Sequence, residues 1–192
     1  MRIVIAKDYD ELSKKAANLL ASELVRIYEE GDISFAETVT FNLDEYYGLD
    51  KENEQSYYHF MMENLFKHVN INKKNIYIPD GRAKDIDNEC IEYELKIKQA
   101  GGIDLQLLGI GRNGHIGFNE PDVKFEAETH LVTLDEDTIE ANSRFFTAME
   151  DVPRRAISMG IKTIMHSRKI ILLASGEEKA ETINSMINGK IT

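Results

Sequence analysis

Cysteine occurs once, proline three times and tryptophan not at all in the 192 residues of this chain. A lone Cys90 excludes an intrachain disulfide framework and gives no basis for a cysteine-rich zinc site. No tract rich in Pro, Gly or Ser divides the chain, and its length suits one domain of roughly 100–200 residues, here residues 1–192. No apolar run approaches the roughly 20 residues needed to span a bilayer. The start, Met1-Arg2-Ile3-Val4-Ile5-Ala6-Lys7, leads at once into a charged helical pattern, so no secretory leader is expected. Positive charge is also scarce: 23 Lys and Arg against 34 Asp and Glu leave a net charge of -11. Nucleic acid and anionic membrane would both be repelled, so neither is expected as a partner. A soluble, cytoplasmic, acidic protein remains. An anionic small substrate would need a cationic pocket to overcome the overall field.

Short β-like runs alternate with longer helical stretches. Arg2 to Ala6 reads as a strand. From Asp8, a plausible N-cap, Leu12, Ala16, Leu19, Leu20, Leu24, Ile27 and Tyr28 recur at steps of three and four, with Gly31 as the stop. Thr38 to Leu43 is the next strand. Ser56 to Val69 looks helical, Asn75 to Ile78 a brief strand, and Asp85 to Ala100 a helix ended by Gly101-Gly102. Ile103 to Ile110 reads as a buried central strand and Thr129 to Leu134 as another. Pro153 opens a short helix, Lys169 to Ser175 is a last strand and Glu177 to Asn188 a last helix. The alternation predicts an α/β layered sheet, mostly parallel. Tyr57, Phe60, Leu65 and Phe66 read as core, and Cys90 as a small buried hydrophobe. His59, His68 and His166 have no chemical partners in the sequence and read as structural.

Two segments gather polar groups where a strand ends. In Thr40-Phe41-Asn42-Leu43-Asp44-Glu45-Tyr46-Tyr47-Gly48-Leu49, two adjacent carboxylates leave an apolar strand. Ligands of open α/β sheets collect at such carboxyl ends, so Asp44 is a candidate base and Glu45 a neighbour able to tune it. The plainer alternative has Asp44 capping a turn and Glu45 solvated. The second segment runs from Leu107 to Pro121 and contains G-x-G-x-x-G at Gly109, Gly111 and Gly114. That pattern marks a dinucleotide loop only when a helix follows, and Gly117 and Pro121 interrupt the downstream stretch. It reads instead as a glycine-rich loop bringing backbone amides to a small ligand and presenting His115, with Glu120 near enough to orient the imidazole.

These residues resemble the glucosamine-6-phosphate deaminase (glucosamine/galactosamine-6-phosphate isomerase) family. The resemblance rests on Thr40 to Leu49 with Ser56-Tyr57-Tyr58, on Gly109 to Pro121, and on Ala141-Asn142-Ser143-Arg144-Phe145-Phe146. It continues in order through Val152-Pro153, Met159-Gly160 and Ser175 to Ala180. It implies a three-layer, Rossmann-like α/β fold with helices on both faces of a mostly parallel sheet. It also implies a cytoplasmic hydrolase of amino-sugar catabolism, an aldose–ketose isomerising deaminase that turns glucosamine 6-phosphate and water into fructose 6-phosphate and ammonia. No metal or organic cofactor is implied, and the enzyme could form homo-oligomers. His115 would open the sugar ring with Glu120 and Asn113 orienting it, and Asp44 would take the C2 proton. Arg144 and Lys179, with Gly111 and Gly114 of the loop, would contact the substrate.

The chain departs from the family near its start. A phosphate-holding loop of the G-x-T-G-x-T-P kind is absent: the first 31 residues hold Gly31 as their only glycine, and no threonine or proline. The apolar stripe keeps its phase instead, predicting one continuous helix and a sheet short of one strand. The chain also stops at Ile191-Thr192, where relatives continue through another strand and helix. Asn113 stands where some members carry Asp, and Glu128 lies in a stretch (Phe125 to His130) that tends to carry a basic residue. Two other readings therefore stand beside the deaminase: a 6-phosphogluconolactonase-like hydrolase, and a non-catalytic, shortened sugar-phosphate-binding relative.

Overall fold

The computed structural model describes residues 1–28, 34–121 and 126–189. In chain order the elements are α1 (Tyr9–Tyr28), β1 (Thr40–Phe41), β2 (Asp44–Tyr46), α2 (Tyr57–Asn64), β3 (Ile76–Tyr77), α3 (Ile86–Gln99) and β4 (Leu105–Leu108). They continue as β5 (His130–Thr133), α4 (Glu136–Ser143), β6 (Arg155–Ser158), α5 (Ile161–Met165), β7 (Lys169–Leu172) and α6 (Ala180–Asn188). This is the α/β fold expected from the alternating pattern.

Helix α1 is continuous, as its unbroken stripe predicts. Asp8 caps it, its carboxylate accepting the Glu11 N–H at 2.8 Å, and Asp10 and Glu11 place negative charge in the first turn. The anticipated stop at Gly31 lies outside the described residues. Asp85 likewise caps α3 through the Asn88 N–H at 3.0 Å, and Ser56 caps α2 through His59.

β1 pairs with β3 and β4 with β7, both in parallel. β2, β6 and β5 form an antiparallel unit with β6 in the middle, which the alternating pattern did not reveal. Three local expectations fail. Residues 2–6 form no strand; they have no strand partner among the described residues, and Ile3 and Ile5 are exposed. Pro153 opens no helix but precedes strand β6, whose Ala156, Ile157 and Ser158 are wholly buried, so pairing to both neighbours overrides local preference. Phe60 is 55% exposed rather than core, while Phe66 and Cys90 are buried as expected.

Two apolar clusters hold the layers. One gathers Tyr46, Phe118, Leu134, Ile139, Val152 and Ala156. The other gathers Tyr93, Ile97, Leu108, Met159 and Ile164, with Phe41 and Leu43 packed against it. Leu43 thus joins one cluster and Tyr46 the other, which leaves Asp44 and Glu45 on the short segment between them. The glycine-rich loop bridges the same two clusters, through Ile116 on one side and Phe118 on the other.

Candidate active site

Asp44 opens β2, opposite Ser158 of β6. Burial, reinforced by the neighbouring Glu45 charge, pushes its carboxyl up from 3.8 to about 7. Glu45 is not the solvated residue of the plainer reading: it is only 3% exposed. Its carboxylate accepts the backbone N–H groups of Tyr46 at 2.8 Å, Tyr57 at 3.0 Å and Tyr58 at 2.9 Å. A fixed carboxylate therefore sits at the N-terminus of α2, where helix dipole and free N–H groups favour it. Burial raises the Glu45 carboxyl, and those three hydrogen bonds oppose the rise. The phenols of Tyr46 and Tyr57, whose rings stack at 5.5 Å, are also pushed up by burial and by the Asp44 charge, Tyr46 to about 12.

The glycine-rich loop folds back on itself. Gly111 N–H donates to the His115 carbonyl at 2.8 Å and Gly114 N–H to the Gly111 carbonyl at 3.2 Å, with Gly114 at φ +94. Both amides are taken up inside the loop, so they are not free to cradle a ligand as expected. What Gly111 contributes is room: a Cβ there would stand 2.4 Å from two atoms of the His115 ring. The imidazole packs closely against that backbone. Its Nδ1 is buried, lacks a hydrogen-bond partner of good geometry among the described residues, and lies 3.4 Å from Oε2 of Glu120. The same Oε2 accepts the Asn113 side-chain amide at 2.8 Å, and Asn113 Oδ1 accepts the His115 N–H at 3.2 Å. The structure thus brings Asn113, His115 and Glu120 together.

Ser158 ties loop and strand together. Its hydroxyl oxygen accepts Phe118 N–H at 3.2 Å and the Asn119 amide at 3.3 Å, while Asn119 also donates to the Met159 carbonyl at 2.8 Å. A Cβ on Gly117 (φ +62) would meet both Leu43 and Ser158 at 3.1 Å. The Asp44 strand and the His115 loop are thereby registered on one buried residue of β6. Sequence reasoning missed Ser158, and also Thr138 of α4, whose hydroxyl donates to Oε1 of Glu120 at 2.5 Å. Neither stands in a motif that would have singled it out.

The two expected substrate cations lie on different elements. Arg144 ends α4 with its guanidinium 4.6 Å above the exposed Phe145 ring. Lys179 lies in the turn before α6, whose Thr182 hydroxyl donates to the Arg112 carbonyl of the loop. Glu128 pairs with Lys162 at 2.8 Å, which offsets its charge. A cleft of about 590 Å³ between α3 and α5, lined by Glu94, Lys98, Lys162 and His166, contains none of the site residues.

The model of glucosamine-6-phosphate isomerases/6-phosphogluconolactonase matches residues 14–191. The chain belongs to this family. Glucosamine-6-phosphate deaminase of Clostridium botulinum (strain Langeland / NCTC 10281 / Type F) is 56% identical, the match covering 100% of this chain and 88% of that protein. The deaminase of Clostridium acetobutylicum is 54% identical over 100% of this chain and 89% of its own length. Among solved structures, a monomeric glucosamine-6-phosphate deaminase superposes with a TM-score of 0.92 at 39% identity, covering 100% of this chain and 89% of that one. A 6-phosphogluconolactonase from Trypanosoma cruzi superposes at a TM-score of 0.73 with 17% identity, covering 100% of this chain and 86% of that one, which speaks to the fold alone. These similarities correct one expectation. The hydrolase class is overturned, because the relatives at more than half identity are named deaminases and the family model names isomerases. The match to the first C. botulinum protein runs over 214 residues against 192 here, a difference of 22 that this family member lacks.

Proposed function

We propose that this chain, acting as a single cytoplasmic domain over residues 1–192, converts glucosamine 6-phosphate and water into fructose 6-phosphate and ammonia. One observation carries the reading most: a carboxyl raised to about 7, Asp44, on a strand registered through Ser158 to a loop that holds His115 against Glu120. A base poised near working pH and a proton carrier on a loop tied to the same strand are what an aldose–ketose shift requires.

The steps follow from the groups present. With its Nδ1 turned to Glu120, His115 keeps Nε2 free to accept the proton of the anomeric hydroxyl and return it to the ring oxygen, which opens the ring. Asp44 then removes the proton on C2, giving an enolamine, and that proton goes back to C1. The resulting imine at C2 adds water and releases ammonia, leaving the ketose. Asn113 and Glu120 hold the imidazole. Gly111 and Gly114 shape the loop around it and give the substrate close approach. Arg144, swung off Phe145, and Lys179 supply cationic contacts to hydroxyl and phosphate oxygens.

The C1–C2 proton shift is open to direct test. Turnover in heavy water should place deuterium on C1 of the fructose 6-phosphate, to an extent set by exchange at Asp44. Asp44→Asn should yield neither ketose nor ammonia. Sugar phosphate bound without turnover by the parent chain would sink the reading and support the non-catalytic alternative.

A further inference from the structure

Glu120 divides its two carboxylate oxygens between different parts of the fold. Oε2 faces the loop, accepting the Asn113 amide at 2.8 Å and standing 3.4 Å from His115 Nδ1. Oε1 faces helix α4, where it accepts the Thr138 hydroxyl at 2.5 Å, a short charge-assisted bond. Thr138 is 8% exposed, and the Glu120 side chain 10%. His115 Nδ1 is itself buried and has no well-formed hydrogen bond among the described residues. The orientation of the imidazole therefore depends on where Oε2 points.

We infer that Thr138 is a positioning residue for ring opening, its hydroxyl fixing the Glu120 rotamer so that Oε2 faces His115 Nδ1. The inference rests on the reading of His115 as the group that opens the ring. Asn113 alone leaves Glu120 free to swing about its Oε2 contact; the bond from α4 supplies a second anchor point. A carboxylate held at both oxygens keeps the imidazole proton on Nδ1 and the Nε2 lone pair on the substrate side. Threonine suits the task, because its branched Cβ limits χ1 in a helix to two main rotamers. The bond also couples the proton carrier to the helix that ends at Arg144, so a shift of α4 would disturb the shuttle and Arg144 together.

The test compares Thr138→Val, which keeps the shape and removes the donor, with Thr138→Ser, which keeps the donor. Two quantities are read: kcat and KM for ammonia release, and the His115 tautomer by nitrogen-15 NMR of histidine-labelled protein, assigned with His115→Gln. General acid–base catalysis contributes roughly 10²–10⁴-fold, so loss of positioning should lower kcat about 10- to 100-fold with KM within about 3-fold of parent. The Nδ1–H tautomer of His115 should lose dominance in the valine variant, and serine should restore both quantities. Parental kcat in Thr138→Val, or a lower kcat with an unchanged tautomer, overturns the inference. If the valine variant does not fold, Thr138→Ala takes its place under the same criteria. Should the parent chain release no ammonia, the ring-opening reading fails by itself. The tautomer comparison would then still decide whether Thr138 governs the His115–Glu120 pair.

Discussion

Asp44 carries opposite consequences for chemistry and for stability. Its carboxyl titrates at about 7 in the fold against an ordinary 3.8, so the folded chain binds more protons than the unfolded one between those values. Stability contributed by this group is therefore lost as pH rises through that window. Asp44→Asn should match the parent below pH 4 and exceed it above pH 7, by up to about 4 kcal/mol if the whole shift acts on folding; urea titrations at the two pH values check it. A stability gain at neutral pH together with lost turnover is the pattern of a strained functional group rather than of a structural one. Glu45 works through Asp44: its charge is the second cause of the raised value. Glu45→Gln should move the acidic limb of kcat/KM to lower pH, and a limb left in place would show that burial alone sets it. At Gly111 the argument is steric. Gly111→Ala should displace the imidazole and cut kcat, since the added methyl would fall within 2.4 Å of the ring.

At the scale of elements, the loop was readable from sequence and its support was not. Gly109 to Pro121 announces itself through glycines that no packed helix would carry; His115 and Glu120 stood out within it, Asn113 came from the family resemblance, and the fold brings the three side chains near one another. Ser158 lies in a strand that the Pro153 signal disguised, since local preference says nothing of a partner strand far along the chain. Its burial at 0% and its two accepted hydrogen bonds emerge only when β2, β5 and β6 pair. Ser158→Ala should leave the buried Phe118 N–H without its acceptor and cost about 1–3 kcal/mol of stability, read by urea denaturation. It should also lower kcat more than it raises KM, because it loosens the register between the Asp44 strand and the His115 loop. Thr138 was illegible for the same reason: on a helix it resembles any other threonine until Glu120 folds back onto it.

Across the whole molecule, charge and length set how the substrate is held. The net charge of -11 opposes a phosphosugar, and the continuous α1 runs where a phosphate-holding loop was looked for in the sequence. The chain has 22 fewer residues than the aligned stretch of its C. botulinum relative, and in the proposed reading the phosphate falls to Arg144 and Lys179. Binding energy from a remote group helps drive the chemical step, so its loss lowers kcat as well as raising KM. The ratio of kcat/KM for glucosamine 6-phosphate over glucosamine should thus be smaller here than in the relative, and an equal ratio would show that another part of the chain holds the phosphate. The α/β layering was legible because alternating helical and strand periodicities carry it; the antiparallel β2–β6–β5 unit was not, because strand direction leaves no mark in composition. The most direct test of the central claim is ammonia release from glucosamine 6-phosphate, followed from pH 5 to 9 for the parent chain and Asp44→Asn. The account predicts ammonia and fructose 6-phosphate in equal amounts, an acidic limb near pH 7, and a loss of orders of magnitude in the variant. Absence of ammonia from the parent, or an unchanged rate in Asp44→Asn, would contradict it.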